Sequence, residues 1–177
     1  MKQRMIVLIG APGSGKSAIG KSVAEFSDTT YISSGDIARA LGDTTTKRNL
    51  AKGGMAHESK MRETVHYMLS VNKHWDTVLD GFPRTSDQRQ WLEDCFDDQY
   101  DIKYVEVDAS LNTCMRRLKA RHRSDDNISV ILKRYEHYIN HTIDMIDSIT
   151  DRIILYNDNI TVEQATMAIA RRCMGDE

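Results

Sequence analysis

The chain lacks several features that mark other classes of protein. Its three cysteines, Cys95, Cys114 and Cys173, are too far apart for a C-x-x-C pair. This excludes a cysteine-based zinc ribbon and argues against a disulfide framework. The apolar run near the start, residues 5–9, is too short to cross a bilayer or to form the core of a signal peptide. We therefore expect a cytoplasmic protein without a membrane partner.

An excess of positive charge is also absent. Lys and Arg number 24 against 26 Asp and Glu, which gives a formal net charge of -2. Domains that bind duplex nucleic acid are usually basic, because phosphate neutralisation dominates their affinity. One stretch, RRLKARHRSDDN at 116–127, is nonetheless strongly basic. Local positive charge on an acidic chain suits a small, densely charged anion, and we expect no nucleic-acid partner.

The two prolines, Pro12 and Pro83, form no linker, so residues 1–177 are predicted to be one domain. Short β-rich runs are predicted as strands at 5–9, 29–33, 77–80, 102–107 and 152–156. Segments of helical period lie between them, at 16–26, 58–73, 84–95, 111–121, 128–149 and 161–174. The stripe Ile131, Tyr135, Tyr138 and Ile139 on one of these helices is predicted to be core. This alternation indicates an α/β domain with a five-stranded parallel sheet and helices on both faces.

The segment GAPGSGKS at 10–17 matches G-x-x-x-x-G-K-[ST] in full and lies between a predicted strand and a predicted helix. Such a loop points backbone N–H groups at phosphate oxygens, and the helix N-terminus adds its dipole. Lys16 would bridge the β- and γ-phosphates, and the Ser17 hydroxyl would ligate Mg²⁺. The predicted ATP site here comprises Gly10, Pro12, Gly13, Ser14, Gly15, Lys16, Ser17 and Ala18. GTPases, motors, helicases and kinases share this loop, so it leaves the reaction open.

Three further segments follow predicted strands and should meet at the carboxyl edge of the sheet. They are SSGDIAR at 33–39, DGFPRT at 80–85 and the basic stretch at 116–127. Together with the loop at 10–17, and in this order, they resemble the adenylate kinase family of nucleoside monophosphate kinases. The resemblance implies a P-loop NTPase fold with a small NMP-binding lobe at approximately 34–67. It also implies a very short lid at approximately 119–127, without room for a zinc-binding lid.

The resemblance implies an acceptor site for AMP. Arg39 and Arg84 would grip the acceptor phosphate, and Ser34 would contact it through its hydroxyl. Gln88 would face the base beside the backbone carbonyl of Gly81. The glutamine amide by itself suits adenine or, when flipped, guanine. The implied AMP-binding residues are Ser34, Gly35, Arg39, Met55, Ala56, Gly81, Arg84, Gln88, Arg123 and Arg134.

The resemblance also implies how the donor is held. Arg117 would stack on the adenine of ATP, and Arg121 would reach the phosphates of ATP. The loop with Asn159 and Ile160 would frame the adenine. Asp80 would hold Mg²⁺ through water. The implied catalytic residues around the transferred phosphoryl group are Lys16, Arg84, Arg121, Arg123 and Arg134.

The predicted activity is therefore that of a monomeric adenylate kinase, MgATP + AMP ⇌ 2 ADP. Two alternatives stay open at this stage. One is a kinase for another monophosphate, such as UMP, CMP or a deoxynucleotide. The other is a nucleotide-binding module with little turnover, which the arginine set disfavours because a simple binder does not need clamps on two phosphate chains.

Overall fold

A computed structural model describes residues 2–41, 44–52, 54, 56–121 and 127–175. Its sheet has five parallel strands in the order β2-β3-β1-β4-β5. The strands are β1 Gln3–Ile9, β2 Thr30–Ser33, β3 Thr77–Asp80, β4 Tyr100–Asp108 and β5 Ile153–Tyr156. The predicted α/β class and the five parallel strands are confirmed.

The helices in the described ranges are α1 Lys16–Phe26, α2 Ser34–Ala40, α3 Thr44–Ala51, α4 Glu58–Val71, α5 Ser86–Phe96, α6 Leu111–Ala120, α7 Ile128–His137, α8 Ile143–Asp147 and α9 Val162–Cys173. Helices α2 and α3 are short and were not predicted. A start signal for α2 was present, because Ser33 caps it by accepting from the Asp36 N–H at 3.2 Å. Helix α5 begins after its cap Thr85, two residues later than predicted.

Two hydrophobic cores cover the two faces of the sheet. Strand β1 sends Met5, Val7 and Ile9 into one core and Ile6 and Leu8 into the other. The first core is completed mainly by α4, α5 and α8, and the second by α1 and α9. A strand buried on both faces reads as a continuous apolar run, which is why β1 was recognisable from its sequence.

The segment predicted as one helix over 128–149 is interrupted. A π-helical turn, Tyr138–Thr142, separates α7 from α8. The wider turn shifts the helical phase, so Ile139 is exposed and Thr142 is buried. The assignment of Ile139 to the core stripe was therefore wrong, whereas Ile131 is buried as predicted.

The carboxyl ends of all five strands lie at one edge of the sheet, because every strand pair is parallel. Strand β1 lies between β3 and β4, so β2 and β3 lie on one side of it and β4 and β5 on the other. Because all strands are parallel, the segments that follow them converge at their carboxyl ends, where open α/β sheets bind ligands. None of the helices in the described part of the chain is long and apolar enough to cross a membrane.

Candidate active site

A cavity of about 590 Å³ lies at the carboxyl edge of the sheet. Most of the residues predicted to bind nucleotides line it, from all of the converging segments. They are Gly10, Pro12, Gly13, Gly15, Lys16, Ser17, Ala18, Ser34, Gly35, Arg39, Ala56, Asp80, Gly81, Arg84, Gln88, Arg117, Arg121, Arg134 and Ile160. The structure therefore brings together residues that span 150 positions of the sequence.

Four predicted residues are missing from the described lining of the cavity. Ser14 is fully buried within the loop 10–17. Asn159 is exposed and lies outside the cavity lining. Met55 and Arg123 fall outside the described residues.

The charge of the cavity is strongly positive. Its described lining includes the cationic side chains of Lys16, Lys21, Arg39, Arg84, Arg117, Arg121 and Arg134. The acidic side chains in the same lining are Glu58 and Asp80. A concave surface with this balance concentrates small polyanions, because low-dielectric walls focus the field of the cations.

The loop 10–17 has the backbone that a phosphate cradle requires. Gly15 has φ +104°, and a Cβ there would lie 2.5 Å from Nδ2 of Asn157. The Lys16 ammonium folds back over the loop and donates to the carbonyls of Gly10 and Ala11, each at 2.7 Å. Burial lowers the pKa of Lys16 to about 8, although the nearby Asp80 carboxylate opposes the shift.

Two groups suited to magnesium meet beside Lys16. The Ser17 hydroxyl donates to Oδ2 of Asp80 at 2.6 Å, and the hydroxyl of Tyr31 donates to the same oxygen at 2.8 Å. Burial, with the Asp80 charge, raises the pKa of Tyr31 well above its usual value, so it stays a proton donor. Mg²⁺ takes one or two protein oxygens and keeps several waters, so Ser17 and Asp80 fit it.

Residues of two later segments hold the loop 10–17 through hydrogen bonds to its backbone. The Ser14 carbonyl accepts from Nη1 of Arg117 at 3.0 Å and from Nδ2 of Asn157 at 2.7 Å. Arg117 also donates through Nη2 to the Asn157 carbonyl at 2.7 Å. Asn157 was not predicted, since an asparagine after a strand has many commoner uses in turns.

At the other end of the cavity, side chains converge on the turn after β3. The Gly81 carbonyl accepts from Oγ of Ser34 at 2.6 Å and from Nε of Arg84 at 2.7 Å. Gly81 has φ +76°, and a Cβ there would lie 2.8 Å from the Ser34 hydroxyl. Arg39 pairs with Asp36, with Nη2 and Oδ1 separated by 2.5 Å. The predicted acceptor residues are thus neighbours, and each arginine already has a partner within its own segment.

Gln88 lies against this group and is almost fully buried, with 3% of its surface exposed. Its Oε1 accepts from the Arg84 backbone N–H at 2.8 Å, and its Nε2 donates to Oε2 of Glu58 at 2.7 Å. Glu58 was not predicted as a site residue. No local motif distinguishes it from the ordinary acidic residue of a first helical turn.

The π-helical turn contributes further residues to the lining of the cavity. Tyr138, His141 and Thr142 line the cavity, and the Thr142 hydroxyl donates to the Arg84 carbonyl at 3.0 Å. Tyr138 was predicted only as a core residue, and none of the three was predicted as a site residue, because a π-helical turn changes which side chains face the cavity without any signal in the helical period. Such turns recur at functional sites.

The fold and the loop place this chain among the P-loop kinases. It belongs to the adenylate kinase family, since the family model for adenylate kinase matches residues 8–154. The chain is 29% identical over 174 residues to adenylate kinase 1 of Nostoc sp., covering 91% of this chain and 94% of that protein. It is 33% identical over 158 residues to an adenylate kinase of Synechococcus sp., covering 83% and 84%. The fold is also similar to the crystal structure of an unliganded sugar kinase from Janibacter sp., with a TM-score of 0.70 and 14% identity over 98% of this chain and 95% of that one.

Proposed function

We propose that this protein is an adenylate kinase that transfers a phosphoryl group reversibly from MgATP to AMP. The observation that carries the proposal is one cavity with cationic side chains at two ends. Lys16 and the loop 10–17 form one end, and Arg39 and Arg84 form the other. An enzyme that hydrolyses ATP needs the first end, whereas a nucleotide kinase needs both.

Phosphoryl transfer asks the protein mainly to align donor and acceptor and to neutralise charge. Lys16 would leave the loop carbonyls and contact the donor phosphates. Arg39 and Arg84 would exchange their present partners for the acceptor phosphate, to which a guanidinium can bind through two nitrogens. Arg121, Arg134 and the predicted Arg123 would surround the transferred group.

The site would use Mg²⁺ bound with ATP. Ser17 would ligate the ion, and Asp80 would hold it through water, with Tyr31 orienting the carboxylate. The bound ion would neutralise charge on the donor phosphates. No general base is required, because the acceptor is an ionised phosphate.

The test is a coupled assay with MgATP and a panel of nucleoside monophosphates, namely AMP, GMP, CMP, UMP and dAMP. We expect the highest kcat/KM with AMP and two ADP formed per turnover. A faster rate with UMP, CMP or a deoxynucleotide would remove the adenylate assignment while preserving a monophosphate kinase.

Calorimetry with the bisubstrate analogue Ap5A separates a kinase from a simple nucleotide binder. An analogue that fills both ends should bind far more tightly than ATP or AMP, because the two halves associate in one step. Affinity no greater than that of ATP would favour a module with a single nucleotide site.

A further inference from the structure

We propose that Glu58 determines specificity at the acceptor base, by excluding bases that carry a hydrogen-bond acceptor where adenine has its C2–H. The inference rests on the proposed function and adds a residue to it. It begins with the orientation of the Gln88 amide, which the sequence left open between adenine and guanine.

The partners of Gln88 determine that orientation. The Arg84 backbone N–H can only donate, and it lies 2.8 Å from Oε1. The Glu58 carboxylate can only accept, and its Oε2 lies 2.7 Å from Nε2. A flipped amide would set donor against donor and acceptor against acceptor at a side chain that is 3% exposed. Because buried polar groups without partners are costly, the amide keeps one orientation.

This orientation leaves a defined set of groups for a base. A glutamine amide has two lone pairs on oxygen and two N–H donors. The Arg84 N–H already uses one lone pair, and Glu58 already uses one N–H. One lone pair of Oε1 and one N–H of Nε2 therefore remain for a ligand. The Glu58 carboxylate lies next to Nε2 and offers further lone pairs. The order of groups is acceptor, donor, acceptor, from Gln88 Oε1 through Nε2 to Glu58.

Adenine complements this order. Its amino group donates to the first position, its N1 accepts from the second, and its C2–H faces the carboxylate without conflict. Guanine would oppose O6 to Oε1 and N1–H to Nε2, so Gln88 alone rejects it. Uracil is mismatched in the same two positions.

Cytosine is the base that requires Glu58. Its amino group and N3 match Gln88 as well as adenine does, so the glutamine cannot tell them apart. Its O2 would then face the Glu58 carboxylate, placing an acceptor against a negative charge. Rejection of cytosine through unfavourable contacts is discrimination by exclusion, which complements the attractive contacts with adenine.

Glu58 is held in place for this role. It begins α4, and its second oxygen, Oε1, accepts from Nε of Arg62 at 2.6 Å. The Arg62 guanidinium in turn lies 5.7 Å from the ring centroid of Trp91. One carboxylate oxygen is therefore occupied by Arg62 and the other by Gln88, so the carboxylate cannot rotate away from an unfavourable base without losing both contacts.

The experiment compares kcat/KM for AMP, CMP and 2-amino-AMP in the full-length protein and its Glu58→Gln variant. 2-Amino-AMP is the 2,6-diaminopurine nucleotide, which places an N–H donor opposite Glu58. In Glu58→Gln the CMP:AMP ratio should rise about tenfold, since a glutamine can donate to O2. The 2-amino-AMP:AMP ratio should fall about fivefold, because a hydrogen bond to a charged group is replaced by a neutral one.

Each ratio compares kcat/KM for two substrates measured with the same preparation, so the fraction of active enzyme cancels. Partial misfolding of the variant therefore does not affect the ratios. The matched control is Glu63→Gln, which removes an exposed carboxylate from the same helix and should change neither ratio. If both ratios in Glu58→Gln equal those of a wild type that prefers AMP, Glu58 has no role in specificity and the adenylate kinase proposal survives. If the wild type does not phosphorylate AMP, the proposed function fails and this inference fails with it.

Discussion

The two ends of the cavity are built in different ways. The donor end is a single run of backbone, residues 10–17, whose glycines let the chain curl and whose lysine folds over it. The acceptor end is assembled from side chains of α2, α4, α5 and the turn after β3. The loop at the first end is eight consecutive residues supported by Arg117 and Asn157, whereas tertiary contacts assemble the second end from several segments.

The two ends also differ in the burial and the partners of their cationic side chains. At the donor end, Lys16 is desolvated and its pKa is lowered to about 8. At the acceptor end, Arg39 is half exposed and paired with Asp36. A phosphate at the donor end neutralises a buried cation. At the acceptor end, a phosphate bound by Arg39 must replace the Asp36 carboxylate. A phosphate bound by Arg84 must replace the Gly81 carbonyl. The donor end should therefore dominate catalysis and show the stronger pH dependence.

The largest expected effect comes from removing the donor-end cation. Lys16→Met should lower kcat by about a hundredfold to a thousandfold, because a charge aimed at the transition state is lost from a water-poor site. The variant should remain folded, because the buried Asp80 carboxylate, which loses the nearby cation, keeps its hydrogen bonds from Ser17 and Tyr31. Steady-state kinetics and thermal unfolding measure the two outcomes.

Lys21→Met is the matched control, because Lys21 also lines the cavity but lies on the next turn of α1. It should change kcat by less than about fivefold. Wild-type turnover in Lys16→Met, or a comparable loss in Lys21→Met, would contradict the special role of the loop lysine.

Removing an acceptor-end arginine should have a smaller and more selective effect. Arg39→Ala should raise the KM for AMP by about tenfold to thirtyfold while the KM for ATP changes little, because one charge-assisted contact to the acceptor phosphate is lost. The measurement is a matrix of initial rates over both substrates. An equal rise in both KM values would show that the two ends are not separate sites.

The control for this arginine is Arg48→Ala. Arg48 is an exposed arginine of α3, the next helix along the chain, and it does not line the cavity. Arg48→Ala removes one positive charge, as Arg39→Ala does, but it should leave both KM values unaltered. A matching effect in the control would indicate that general electrostatic attraction of AMP, rather than contact with Arg39, is responsible.

The fold was largely predictable because its signals are local. Buried parallel strands such as β1 are continuous apolar runs, and helices such as α9 have capping signals, with Thr161 and Gln164 forming a capping box. The interruption of the helix at Tyr138–Thr142 was not predictable, because one extra residue in a turn leaves no mark on composition or period.

The residues of the site also differ in whether a local sequence pattern could predict them. The loop 10–17 could be located from sequence because backbone geometry requires glycines at fixed spacing. Tyr31, Asn157 and Glu58 could not, since each acts through a partner 49, 143 or 30 positions away. Family resemblance supplied the arginines and Gln88 but not the residues that orient them.

A further expected effect is a pH dependence confined to the donor end. In the protein without nucleotide, burial keeps the pKa of Lys16 at about 8. Bound phosphates are negative and should raise that pKa, so nucleotide binding takes up a proton at pH values between the two pKa values. ATP affinity should therefore be nearly constant below about pH 8 and fall above it, by at most about tenfold per pH unit.

Calorimetry of ATP binding from about pH 7 to about pH 9.5 tests this prediction, because the pH window brackets the lowered pKa. The sign follows from proton counts: a ligand that favours the protonated lysine binds less well once the free protein has lost that proton. Titrations in buffers of different ionisation enthalpy should detect proton uptake near pH 8. Lys16→Met should bind ATP more weakly but without this pH dependence. AMP binding should be flat over the same range, because the acceptor end binds phosphate through guanidinium groups, which are not deprotonated in proteins. An equal decline for AMP would mean that the titrating group is not confined to the donor end.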